Sequence, residues 1–447
     1  MPERAGVILA AGVGKRMRSA LPKVMHPVAG RPILGHVIAA MRDAGVSHIV
    51  VVRSRGAESV RDYAASLGAV SVIQEPAAGT GHAAACAQQA LGAHSGHLLI
   101  NNGDMPLVTG RTLSAAFVAA QQTGLAIVAF HPAIAGEYGR VIRDRDGMLK
   151  RIVEVKDATE EERSVRLCNA GTVVADAGCF FRWAAHLDNN NAQGEFYLTD
   201  IPLMAAREGT RCAVYEADAD EVMGVNTRAE LASAEANMQE RLRARALDCA
   251  VGMIAPQTVF LSFDTVLEAD TRVEPFVVFG PGVTVHSGAL IRAFSYLEGC
   301  TIGQEAIVGP YARLRPGAVI EENVHVGNFV EVKNSRLERG AKANHLSYLG
   351  DARVGAGANI GAGTITCNYD GFDKHHTEIG SNAFIGSNAA LVAPVRIEDG
   401  AIVGAGSVVT RNVGADALAV TRADQKEISG WAKTFRARKQ SQKVRKD

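Results

Sequence analysis

The sequence lacks paired cysteines and any long apolar run. Its 447 residues include seven cysteines, which are scattered, odd in number and never spaced as Cys-x-x-Cys, so neither a disulfide framework nor a zinc site is predicted. No run approaches the roughly 20 apolar residues of a membrane span, and the apolar run at 7–11 is too short for the core of a signal peptide. Free thiols are typical of a reducing compartment, and we expect a cytoplasmic protein.

Net charge is also missing, because Lys+Arg and Asp+Glu number 47 each. A chain without an excess of either sign offers no overall field for nucleic acid or a membrane surface, and neither partner is expected. Aromatic residues make up only 5%, but hydrophobic residues reach 47%, enough for two or three domains at this length. The basic tail after Trp431 carries seven Lys/Arg and is expected to be solvated and disordered.

Aliphatic residues recur every six positions in much of the segment from Ile302 to about Val413. An amphipathic helix would give a period near 3.6 and a half-buried strand a period of two. A period of six instead predicts a parallel β-helix of hexapeptide repeats, whose stacked turns bury a continuous aliphatic core. The clearest first places are Ile302, Val308, Leu314, Ile320, Val326, Val332, Ile379, Ile385, Leu391, Ile397 and Val403.

This repeat fails in two places, and we expect chemistry there. Between Val332 and Val354 the register slips by one residue twice, and between the hexads that begin at Ile360 and Ile379 an inserted polar and aromatic loop interrupts it. Loops on rigid scaffolds are where binding groups concentrate. The polar residues around the two breaks are Arg315, Lys333, His345, Tyr348, Asn359, Asn368, Tyr369 and Lys374.

The first half of the chain alternates strand-like and helix-like segments. This alternation predicts an α/β domain with an open, mostly parallel sheet, in which ligands bind beyond the carboxyl ends of the strands. A stretch without Gly or Pro at 228–250 predicts one long helix, which we interpret as a spacer between domains. The predicted strands are 6–10, 48–52 and 97–101, and the predicted helices are 36–44 and 81–91.

A Gly-x-Gly turn follows the first predicted strand at residues 12–14. Its backbone amides can face phosphate oxygens, and Arg16 and Lys23 add positive charge nearby. The spacing matches neither the dinucleotide fingerprint nor a Walker A loop, so an ordinary tight turn explains this motif about as well.

Polar side chains follow other predicted strands. Asp104 comes after the strand at 97–101, and Asn226 lies farther along the chain. Carboxylate and amide oxygens suit Mg²⁺ bound together with substrate phosphates, although an Asx turn also accounts for a lone Asp. Gln74 precedes the Gly79-Thr-Gly-His-Ala turn and could read the edge of a base.

The set of motifs resembles the sugar-1-phosphate nucleotidyltransferases. Together with the β-helix, the chain from residue 5 to about residue 425 resembles the bifunctional N-acetylglucosamine-1-phosphate uridyltransferase / glucosamine-1-phosphate acetyltransferase family. The motifs that carry the resemblance are 9–17, 21–23, 79–83, 103–104, 138–140, 152–158 and 189–200.

The resemblance implies a fold and a division into domains. It implies a Rossmann-like α/β uridyltransferase domain with a mostly parallel sheet, joined by a long helix to a left-handed parallel β-helix of hexapeptide repeats. The implied limits are 1–227 for the uridyltransferase domain, 228–250 for the helical linker, 251–430 for the acetyltransferase domain and 431–447 for the basic tail.

The resemblance also implies two reactions. The C-terminal domain would transfer acetyl from acetyl-CoA to glucosamine-1-phosphate, and the N-terminal domain would then transfer uridyl from UTP to N-acetylglucosamine-1-phosphate with Mg²⁺ and release pyrophosphate. The product, UDP-N-acetylglucosamine, feeds the synthesis of peptidoglycan and lipopolysaccharide precursors. Members of the family form homotrimers through the β-helix.

For uridyl transfer, the resemblance implies that Arg16 and Lys23 are catalytic groups that face the triphosphate, and that Asp104 and Asn226 hold Mg²⁺. Two positions depart from the family pattern: Ala77 stands where a second Gln is usual, and Asn102 where Tyr or another side chain is frequent. The residues implied to bind UDP-N-acetylglucosamine are Leu9, Ala10, Ala11, Gly12, Lys23, Gln74, Gly79, Thr80, Gly139, Glu154, Asn169 and Asn226.

For acetyl transfer, the resemblance implies that His345 is the base, with Glu331 as its orienting carboxylate. Neutral imidazole is suited to taking the proton of the substrate ammonium near pH 7. The residues implied to bind glucosamine-1-phosphate are Arg315, Lys333, Tyr348, Asn359 and Lys374. The residues implied to contact acetyl-CoA are Ala362, Asn368, Tyr369, Ser387, Ala405 and Arg422.

Two other hypotheses remain at this point. The chain could be a nucleotidyltransferase whose β-helix only assembles subunits or binds a regulator, or a noncatalytic interaction protein. A passive scaffold has no reason to carry Arg315, Lys333 and His345 around its register breaks, and a noncatalytic domain has no reason to keep both Lys23 and Asp104. The enzyme with two activities is therefore favoured.

Overall fold

The computed structural model describes residues 3–12, 14–92 and 94–444. Val13 of the Gly-x-Gly turn and residues 445–447 of the basic tail lie outside the described residues. The chain divides into two compact units. Unit 1 comprises 1–245 and 260–263, and unit 2 comprises 246–259 and 264–447.

Unit 1 alternates strands and helices, as the sequence predicts. Its strands are Arg4–Ala10 (β1), Pro27–Val28 (β2), Arg31–Pro32 (β3), His48–Arg53 (β4), Val70–Ile73 (β5), His97–Asn102 (β6), Gly124–Phe130 (β7), Arg140–Arg143 (β8), Leu149–Val153 (β9), Cys168–Asp176 (β10) and Arg211–Glu216 (β11). Its α-helices are Ile33–Asp43 (α1), Glu58–Ser66 (α2), Thr80–Cys86 (α3), Gln88–Leu91 (α4), Gly110–Thr123 (α5), Glu160–Ser164 (α6), Ala177–Ala184 (α7), Ile201–Arg207 (α8), Ala219–Val222 (α9) and Arg228–Asp248 (α10), the last of which continues into unit 2. Short 3₁₀ helices span Lys15–Met17, Lys23–Met25 and Leu198–Asp200.

The main sheet of unit 1 has the strand order β11-β7-β10-β6-β1-β4-β5. Only β10 runs antiparallel to its neighbours on this path, and β8 and β9 are attached beside it. Strand β1 is buried on both faces: Ile8 belongs to one hydrophobic cluster and Val7 to another. Near-continuous apolar strands of this kind are typical of parallel sheets covered on both sides, and the predicted α/β class is confirmed.

The elements predicted in unit 1 are present, with two differences in length. The helix predicted at 81–91 is divided into α3 and α4, which meet at Ala87. The helix predicted at 228–250 ends at Asp248, and Ala250 adopts a positive φ of 62°.

Unit 2 is built from short parallel strands that form three sheets. We call these sheets face 1, face 2 and face 3. Face 1 contains Gly252–Met253 (β12), Arg272–Val273 (β14), Leu290–Ile291 (β17), Ile307–Val308 (β20), His325–Asn328 (β23), Lys342–His345 (β26), Asn359–Ile360 (β29), Phe384–Ile385 (β32), Ile402–Val403 (β35) and Leu418–Ala419 (β37). Face 2 contains Val266–Leu267 (β13), Thr284–Val285 (β16), Thr301–Ile302 (β19), Val319–Ile320 (β22), Arg336–Leu337 (β25), Ala352–Val354 (β28), Thr377–Ile379 (β31) and Val395–Ile397 (β34). Face 3 contains Val278–Phe279 (β15), Tyr296–Leu297 (β18), Arg313–Leu314 (β21), Glu331–Lys333 (β24), Tyr348–Gly350 (β27), Ile365–Cys367 (β30), Ala390–Val392 (β33) and Val408–Val409 (β36). A short 3₁₀ helix spans Pro256–Thr258.

The three faces form the predicted left-handed parallel β-helix. The aliphatic residue that opens each hexad points inward: Ile302 on face 2, Val308 on face 1 and Leu314 on face 3 are all fully buried. The first strand, β12, lies well before Ile302, where the hexads first become clear in the sequence. The period of six therefore reports one inward side chain for each face of every coil.

Both predicted breaks in the repeat are present. Leu314 pairs with Val332, and Val332 with Leu349, so the coil shortens by one residue across the first break. The second break is a loop between β30 and β31, in which Tyr369 and Lys374 form an isolated antiparallel bridge. The regular coils on either side hold both segments in place.

The basic tail differs from its prediction. Residues Trp431–Val444 form a helix (α11) instead of a disordered segment, and 431–443 are exposed. This stretch lacks Gly and Pro and is rich in Lys, Arg, Ala and Gln, which favour helix even without tertiary contacts. No helix in the described part of the chain has both the length and the hydropathy needed to cross a membrane. All seven cysteines lie in this part, and each is a free thiol.

Candidate active sites

The first cavity of unit 1 lies beyond the carboxyl ends of β1 and β6, which are neighbours in the sheet. This is where ligands bind in open α/β sheets. It contains eight of the residues predicted to bind nucleotide, and Asp104 as well. The lining residues are Leu9, Ala10, Ala11, Gly12, Lys23, Val24, Gln74, Ala77, Gly79, Thr80, Ala83, Asn102, Asp104 and Glu195.

Gln74 is held with its amide in one orientation. Its Nε2 donates to the carbonyl oxygen of Gly79 at 2.8 Å and lies 3.2 Å from Nδ1 of His82. A carbonyl can only accept, so the nitrogen must face Gly79. The side-chain oxygen of Gln74 is therefore left to accept a hydrogen bond from a ligand in the cavity. Ala77 lines the same cavity and offers no polar group.

The turn before α3 requires glycine at position 79. Gly79 has a φ of +104°, and a Cβ there would lie 2.5 Å from the carbonyl oxygen of Phe196. The next residue, Thr80, accepts a hydrogen bond from the Leu198 amide through Oγ1 at 3.0 Å. These contacts fix the start of α3 against 196–198, at the boundary between the first cavity and a second one.

Lys23, Asp104 and Asn226 converge where the first cavity meets the second, because Lys23 lines the first, Asn226 lines the second and Asp104 lines both. The Nζ atom of Lys23 lies 2.5 Å from Oδ2 of Asp104 and 2.9 Å from Oδ1 of Asn226. The side chains of Lys23 and Asp104 are only 13% and 16% exposed. One carboxylate oxygen and one amide oxygen therefore share a cation in a largely desolvated place.

The start of α10 positions Asn226. Thr227 and Glu230 form a capping box, in which the Glu230 amide donates to Thr227 Oγ1 at 3.2 Å and Glu230 Oε2 accepts from the Thr227 amide at 2.8 Å. The same oxygen accepts from the Asn226 amide at 2.6 Å. The sequence Thr-x-x-Glu is the signature of this motif, so a helix cap fixes the backbone that carries Asn226.

The second cavity adjoins the first and shares Thr80, Asn102 and Asp104 with it. It contains Arg16 and the other four residues implied to bind UDP-N-acetylglucosamine, namely Gly139, Glu154, Asn169 and Asn226. The lining residues are Arg16, Thr80, Asn102, Asp104, Met105, Glu137, Tyr138, Gly139, Glu154, Asn169, Ala170, Gly171, Leu198, Thr199, Val222, Gly224 and Asn226.

Glu154 is a half-buried acid that lines the second cavity. Burial raises the pKa of its carboxyl, the Thr199 hydroxyl opposes this effect, and the charges of Asp157 and Asp200 add to it. Thr199 Oγ1 donates to Glu154 Oε1 at 3.1 Å. A Cβ added at Gly139 would lie 3.4 Å from the same oxygen, so the absence of a side chain at 139 leaves room beside the acid.

Asn169 and Arg16 complete the second cavity in different ways. The Asn169 amide donates to the Gly139 carbonyl at 2.8 Å, and its Oδ1 accepts from the Gly171 amide at 3.1 Å, so Asn169 is fixed by its surroundings. Arg16 is 59% exposed and forms an ion pair with Glu137 at 3.3 Å. Solvent screens an ion pair of this kind, which contributes little to stability and can be exchanged for a phosphate.

In unit 2, Arg315 and Lys333 lie along face 3. Arg315 Nη1 donates to Glu331 Oε1 at 2.8 Å, and Arg313 Nη1 lies 3.6 Å from Glu331 Oε2. Lys333 pairs with Gly350 in the next coil, and Tyr348 pairs with Glu331. Successive coils therefore place cationic side chains and a phenol on one outward surface.

His345 lies at the end of β26, on face 1, and is exposed. Its Nδ1 is 2.6 Å from Oδ1 of Asn328, with which it also pairs in the sheet. The expected orienting contact from Glu331 differs from this geometry, because Glu331 is engaged by Arg315 and Arg313. The amide of Asn328 was missed because its partner lies one coil away and has no signal in the repeat.

Asn368, Tyr369 and Lys374 belong to the inserted loop. Asn368 is buried, and its Nδ2 donates to Asp351 Oδ2 at 2.5 Å. Tyr369 Oη donates to the Gly371 carbonyl at 2.6 Å. The neighbouring side chain of Lys333 lowers the pKa of Lys374 through their direct interaction and by charge repulsion. The loop thus returns to the same outward surface of face 3.

Four residues expected to contact acetyl-CoA follow one corner of the β-helix below His345. The Gly363 amide donates to the His345 carbonyl, the Asn388 amide to that of Ala362 and the Gly406 amide to that of Ser387. Arg422 Nη1 donates to the Ala405 carbonyl. Asn359, by contrast, lies on face 1, where it pairs with Lys342. One chain therefore does not gather all the predicted acetyl-transfer residues on a single face.

A nucleotide-sized cavity on an α/β sheet, followed by a β-helix with its own polar surface, defines a nucleotidyltransferase joined to a hexapeptide-repeat transferase. Two family models match: the MobA-like NTP transferase domain over residues 6–173 and the bacterial transferase hexapeptide (six repeats) over 299–334 and 376–411.

Curated relatives match nearly the whole chain. A bifunctional protein GlmU from Acidiphilium cryptum is 54% identical over 97% of this chain and 98% of its own length. Those from Sphingopyxis alaskensis and Paramagnetospirillum magneticum are 50% and 48% identical, over 96% and 99% of this chain and the same shares of their own lengths. The chain belongs to the bifunctional GlmU family. It is an enzyme of UDP-N-acetylglucosamine synthesis with uridyltransferase and acetyltransferase activities, and the prediction of two activities is confirmed.

Proposed function

We propose that the two cavities of unit 1 form the uridyl-transfer site and that the polar surface of unit 2 forms the acetyl-transfer site. The observation that carries the first assignment is the convergence of Lys23, Asp104 and Asn226 where the two cavities adjoin. We place the uridyltransferase domain at 1–227, the helical linker at 228–250, the acetyltransferase domain at 251–430 and the basic tail at 431–447. In this arrangement acetyl transfer makes the N-acetyl sugar phosphate that uridyl transfer consumes.

For uridyl transfer, UTP lies in the first cavity and N-acetylglucosamine-1-phosphate in the second. The oxygen of Gln74 accepts the N3–H of uracil, and Lys23 and Arg16 face the triphosphate. A phosphate oxygen of the sugar attacks the α-phosphorus, and the bond to the departing pyrophosphate breaks. Such reactions need positioning and charge neutralisation more than covalent help from the protein, and the shared wall of the two cavities supplies the positioning.

Asp104 and Asn226 are suited to Mg²⁺. Their oxygens already share one cation, the ammonium of Lys23, and a carboxylate with an amide oxygen is a donor set that Mg²⁺ accepts when phosphates and water fill its other positions. When bound, the ion would neutralise the charge that develops on the phosphates. Lys23 would then be released toward the triphosphate, where it is expected to act.

For acetyl transfer, glucosamine-1-phosphate binds with its phosphate near Arg315, Lys333 and Lys374. Asn328 accepts a hydrogen bond from Nδ1 of His345, so the proton of the neutral ring resides on Nδ1 and Nε2 is left to accept one. Nε2 takes a proton from the substrate nitrogen as that nitrogen attacks the thioester carbonyl. The carbon–sulfur bond breaks, the protonated ring returns this proton to the departing sulfur, and CoA leaves as the thiol.

We also propose that the acetyl-transfer site is completed by a second copy of the chain within a homotrimer. His345 and Asn359 lie on face 1, whereas Arg315, Lys333 and Tyr348 lie on face 3. The outward surfaces of two faces of one β-helix diverge, so a small substrate reaches both groups most readily when face 1 of one copy lies against face 3 of another. Heterologous contacts of this kind form a ring when the rotation between copies closes, and a rotation of one third of a turn closes a trimer.

The seven free thiols and the small-molecule substrates support a cytoplasmic location for both reactions. The substrates that we assign are UTP, N-acetylglucosamine-1-phosphate, glucosamine-1-phosphate and acetyl-CoA. We assign no nucleic-acid or membrane partner to the chain.

The His345→Ala variant tests the second assignment. With glucosamine-1-phosphate, acetyl-CoA, UTP and Mg²⁺ supplied, release of the CoA thiol and of pyrophosphate is followed separately. We expect acetyl transfer to fall by about 10²–10⁴-fold, the usual contribution of a general base, while uridyl transfer from added N-acetylglucosamine-1-phosphate is unchanged.

His325→Ala is the matched control, because His325 lies on the same strand as Asn328, toward the other edge of face 1. It should retain both activities. Near-normal acetyl transfer by folded His345→Ala would show that the base is another residue.

A further inference from the structure

We propose that Asp351 is a positioning residue of the acetyl-transfer site, which orients Asn368 and sets the charge balance of Lys333 and Lys374 without touching substrate. The inference rests on the proposed assignment of that site to face 3. Asp351 follows Tyr348-Leu-Gly within the first register break, and sequence reasoning gave it no role.

Asp351 has a buried carboxylate, and each of its two oxygens accepts a hydrogen bond from a neighbouring coil. Its Oδ1 accepts from Asn334 Nδ2 at 2.6 Å, and its Oδ2 accepts from Asn368 Nδ2 at 2.5 Å. Only 9% of Asp351 is exposed. A buried charge is retained only where it is paired and hydrogen-bonded, and here the two amides supply the bonds.

The conformation of the coil suits this arrangement. Asn334 and Asp351 have positive φ values of 45° and 49°, a region that Asn and Asp enter more readily than other residues with side chains. The Asp351 amide donates to the Lys333 carbonyl at 3.1 Å. Asn334 and Asp351 therefore occupy the same corner in successive coils, next to Lys333.

The residue before Asp351 shows how closely the functional groups surround it. A Cβ added at Gly350 would lie 2.5 Å from Tyr348 Oη and 2.8 Å from Asn368 Nδ2. Any side chain at 350 would displace both groups. Glycine at 350 thus lets Tyr348, a proposed sugar contact, lie beside Asn368, a proposed acetyl-CoA contact, and Asp351 holds Asn368 in place.

The charges around Asp351 define its second effect. Burial alone would raise the pKa of Asp351, but hydrogen bonds from Asn334 and Asn368 and the charges of Lys333 and Lys374 outweigh burial and lower it. In return, Asp351 raises the pKa of Lys374, against the larger opposing effect of Lys333, and Tyr348 acts in the same direction as Asp351. The carboxylate therefore helps the ammonium of Lys374 remain charged.

Replacing Asp351 by Asn separates positioning from a purely structural role. The amide keeps the shape but can accept from only one of the two flanking amides and carries no charge, so the hydrogen bond that fixes Asn368 is weakened or lost. We expect the KM for acetyl-CoA to rise, and kcat/KM for glucosamine-1-phosphate to fall, each by about 10-fold or more, as befits hydrogen bonds to a charged group.

The pH profile provides a readout that a structural defect would not change. Without the charge of Asp351, the pKa of Lys374 falls further, so the ammonium is lost at lower pH. The alkaline limb of kcat/KM for glucosamine-1-phosphate should therefore move to lower pH in Asp351→Asn. A variant that keeps the wild-type KM values and alkaline limb, or one that loses only kcat in proportion to folded protein, overturns the proposal.

Asp416→Asn is the matched control, since Asp416 also occupies a coil corner with positive φ, of 54°, but is exposed and lies near the other end of the β-helix. It should match wild type in KM and pH profile. If Asp351→Asn does not fold, Asn334→Ala removes one donor to Asp351 without removing a proposed substrate contact. It should raise the KM for glucosamine-1-phosphate at least about threefold, and an unchanged KM would overturn the proposal.

The same assays separate this inference from the function on which it rests. Wild-type protein that does not acetylate glucosamine-1-phosphate, while it still releases pyrophosphate from UTP, would refute the assigned acetyl-transfer site. Wild-type protein that acetylates normally, together with an indistinguishable Asp351→Asn, would refute only the role of Asp351.

Discussion

At the scale of single residues, the ion pair of Lys23 and Asp104 is the central charged contact of the proposed uridyl-transfer site. The Asp104→Ala variant removes the carboxylate of the pair. We expect uridyl transfer to fall by at least about 10²-fold, because charge stabilisation through a bound metal contributes several kcal/mol. Acetyl transfer should remain nearly intact. Pyrophosphate and CoA thiol release, measured on the same sample, test this prediction.

Asp146→Ala is a suitable control for Asp104→Ala. Asp146 is 75% exposed and contacts Arg211 at 3.1 Å, away from both cavities. It should retain both activities. Equal loss of both reactions in folded Asp104→Ala would contradict two separate sites.

Ala77 offers a gain-of-function prediction at the same scale. Ala77 lines the first cavity and brings no polar side chain to it, and the side-chain nitrogen of Gln74 is already bonded to Gly79. The Ala77→Gln variant adds a second amide near the base. We expect the ratio of kcat/KM for UTP to that for CTP to rise by about 10-fold, the effect of one hydrogen bond. Ala78→Gln is the control, and wild-type turnover of ATP at the rate of UTP would refute the uridine assignment.

The residues of the sites could be predicted from the sequence, but the residues that hold them in place could not. Asp104 and Lys23 follow predicted strands or turns, so general rules for α/β sheets bring them together. Asn328 and Asp351 act on residues one coil away, and a sequence repeat does not say which side chain of one coil meets which of the next. The pairing of His345 with Asn328, and not with Glu331, depends on that register.

At the scale of elements, the cap of α10 connects helix stability to Asn226. Glu230 accepts from the amides of both Asn226 and Thr227. Its replacement by Ala should lower the free energy of unfolding of unit 1 by about 1 kcal/mol, typical of a lost cap. It should also raise the Mg²⁺ concentration needed for half-maximal uridyl transfer. Chemical denaturation and a Mg²⁺ titration measure the two effects.

The cap of α5 provides the comparison. Thr109 accepts from the Thr112 amide at 3.2 Å, and the Thr109→Ala variant should lose similar stability. Its Mg²⁺ requirement should stay at the wild-type value. If both variants change the Mg²⁺ requirement alike, the link between Glu230 and Asn226 is not specific.

The elements themselves were predicted to different degrees for physical reasons. The hexads give the β-helix, because each inward aliphatic residue is required by burial. The division of 81–91 into α3 and α4 has no such signal, since its Ala-rich sequence suits either one helix or two. The helix α11 was missed because charge alone suggested disorder, although the helix propensity of 431–444 favours the observed element.

At the scale of the whole molecule, the two units of the chain distribute their functional residues differently. Unit 1 forms its site at the edge of one sheet, so a single copy contains every residue predicted for uridyl transfer. Unit 2 is a stack in which each coil contacts mainly its neighbours, and its functional residues are distributed over separate faces. A site on such a stack is completed most simply by a second stack, which makes oligomer formation part of the chemistry.

Subunit mixing tests this conclusion. His345→Ala removes a group on face 1, and Lys333→Ala removes one on face 3, so trimers of either variant alone should lack acetyl transfer. In every mixed trimer, one of the sites combines the intact face 1 of one copy with the intact face 3 of its neighbour. Differently tagged copies, co-expressed and purified through both tags, should therefore recover about a third of the wild-type rate. His345→Ala mixed with Asn359→Ala, both on face 1, should recover nothing, because each site draws face 1 from a single copy. Mixed trimers of the first kind that stay inactive would place the complete site within one chain.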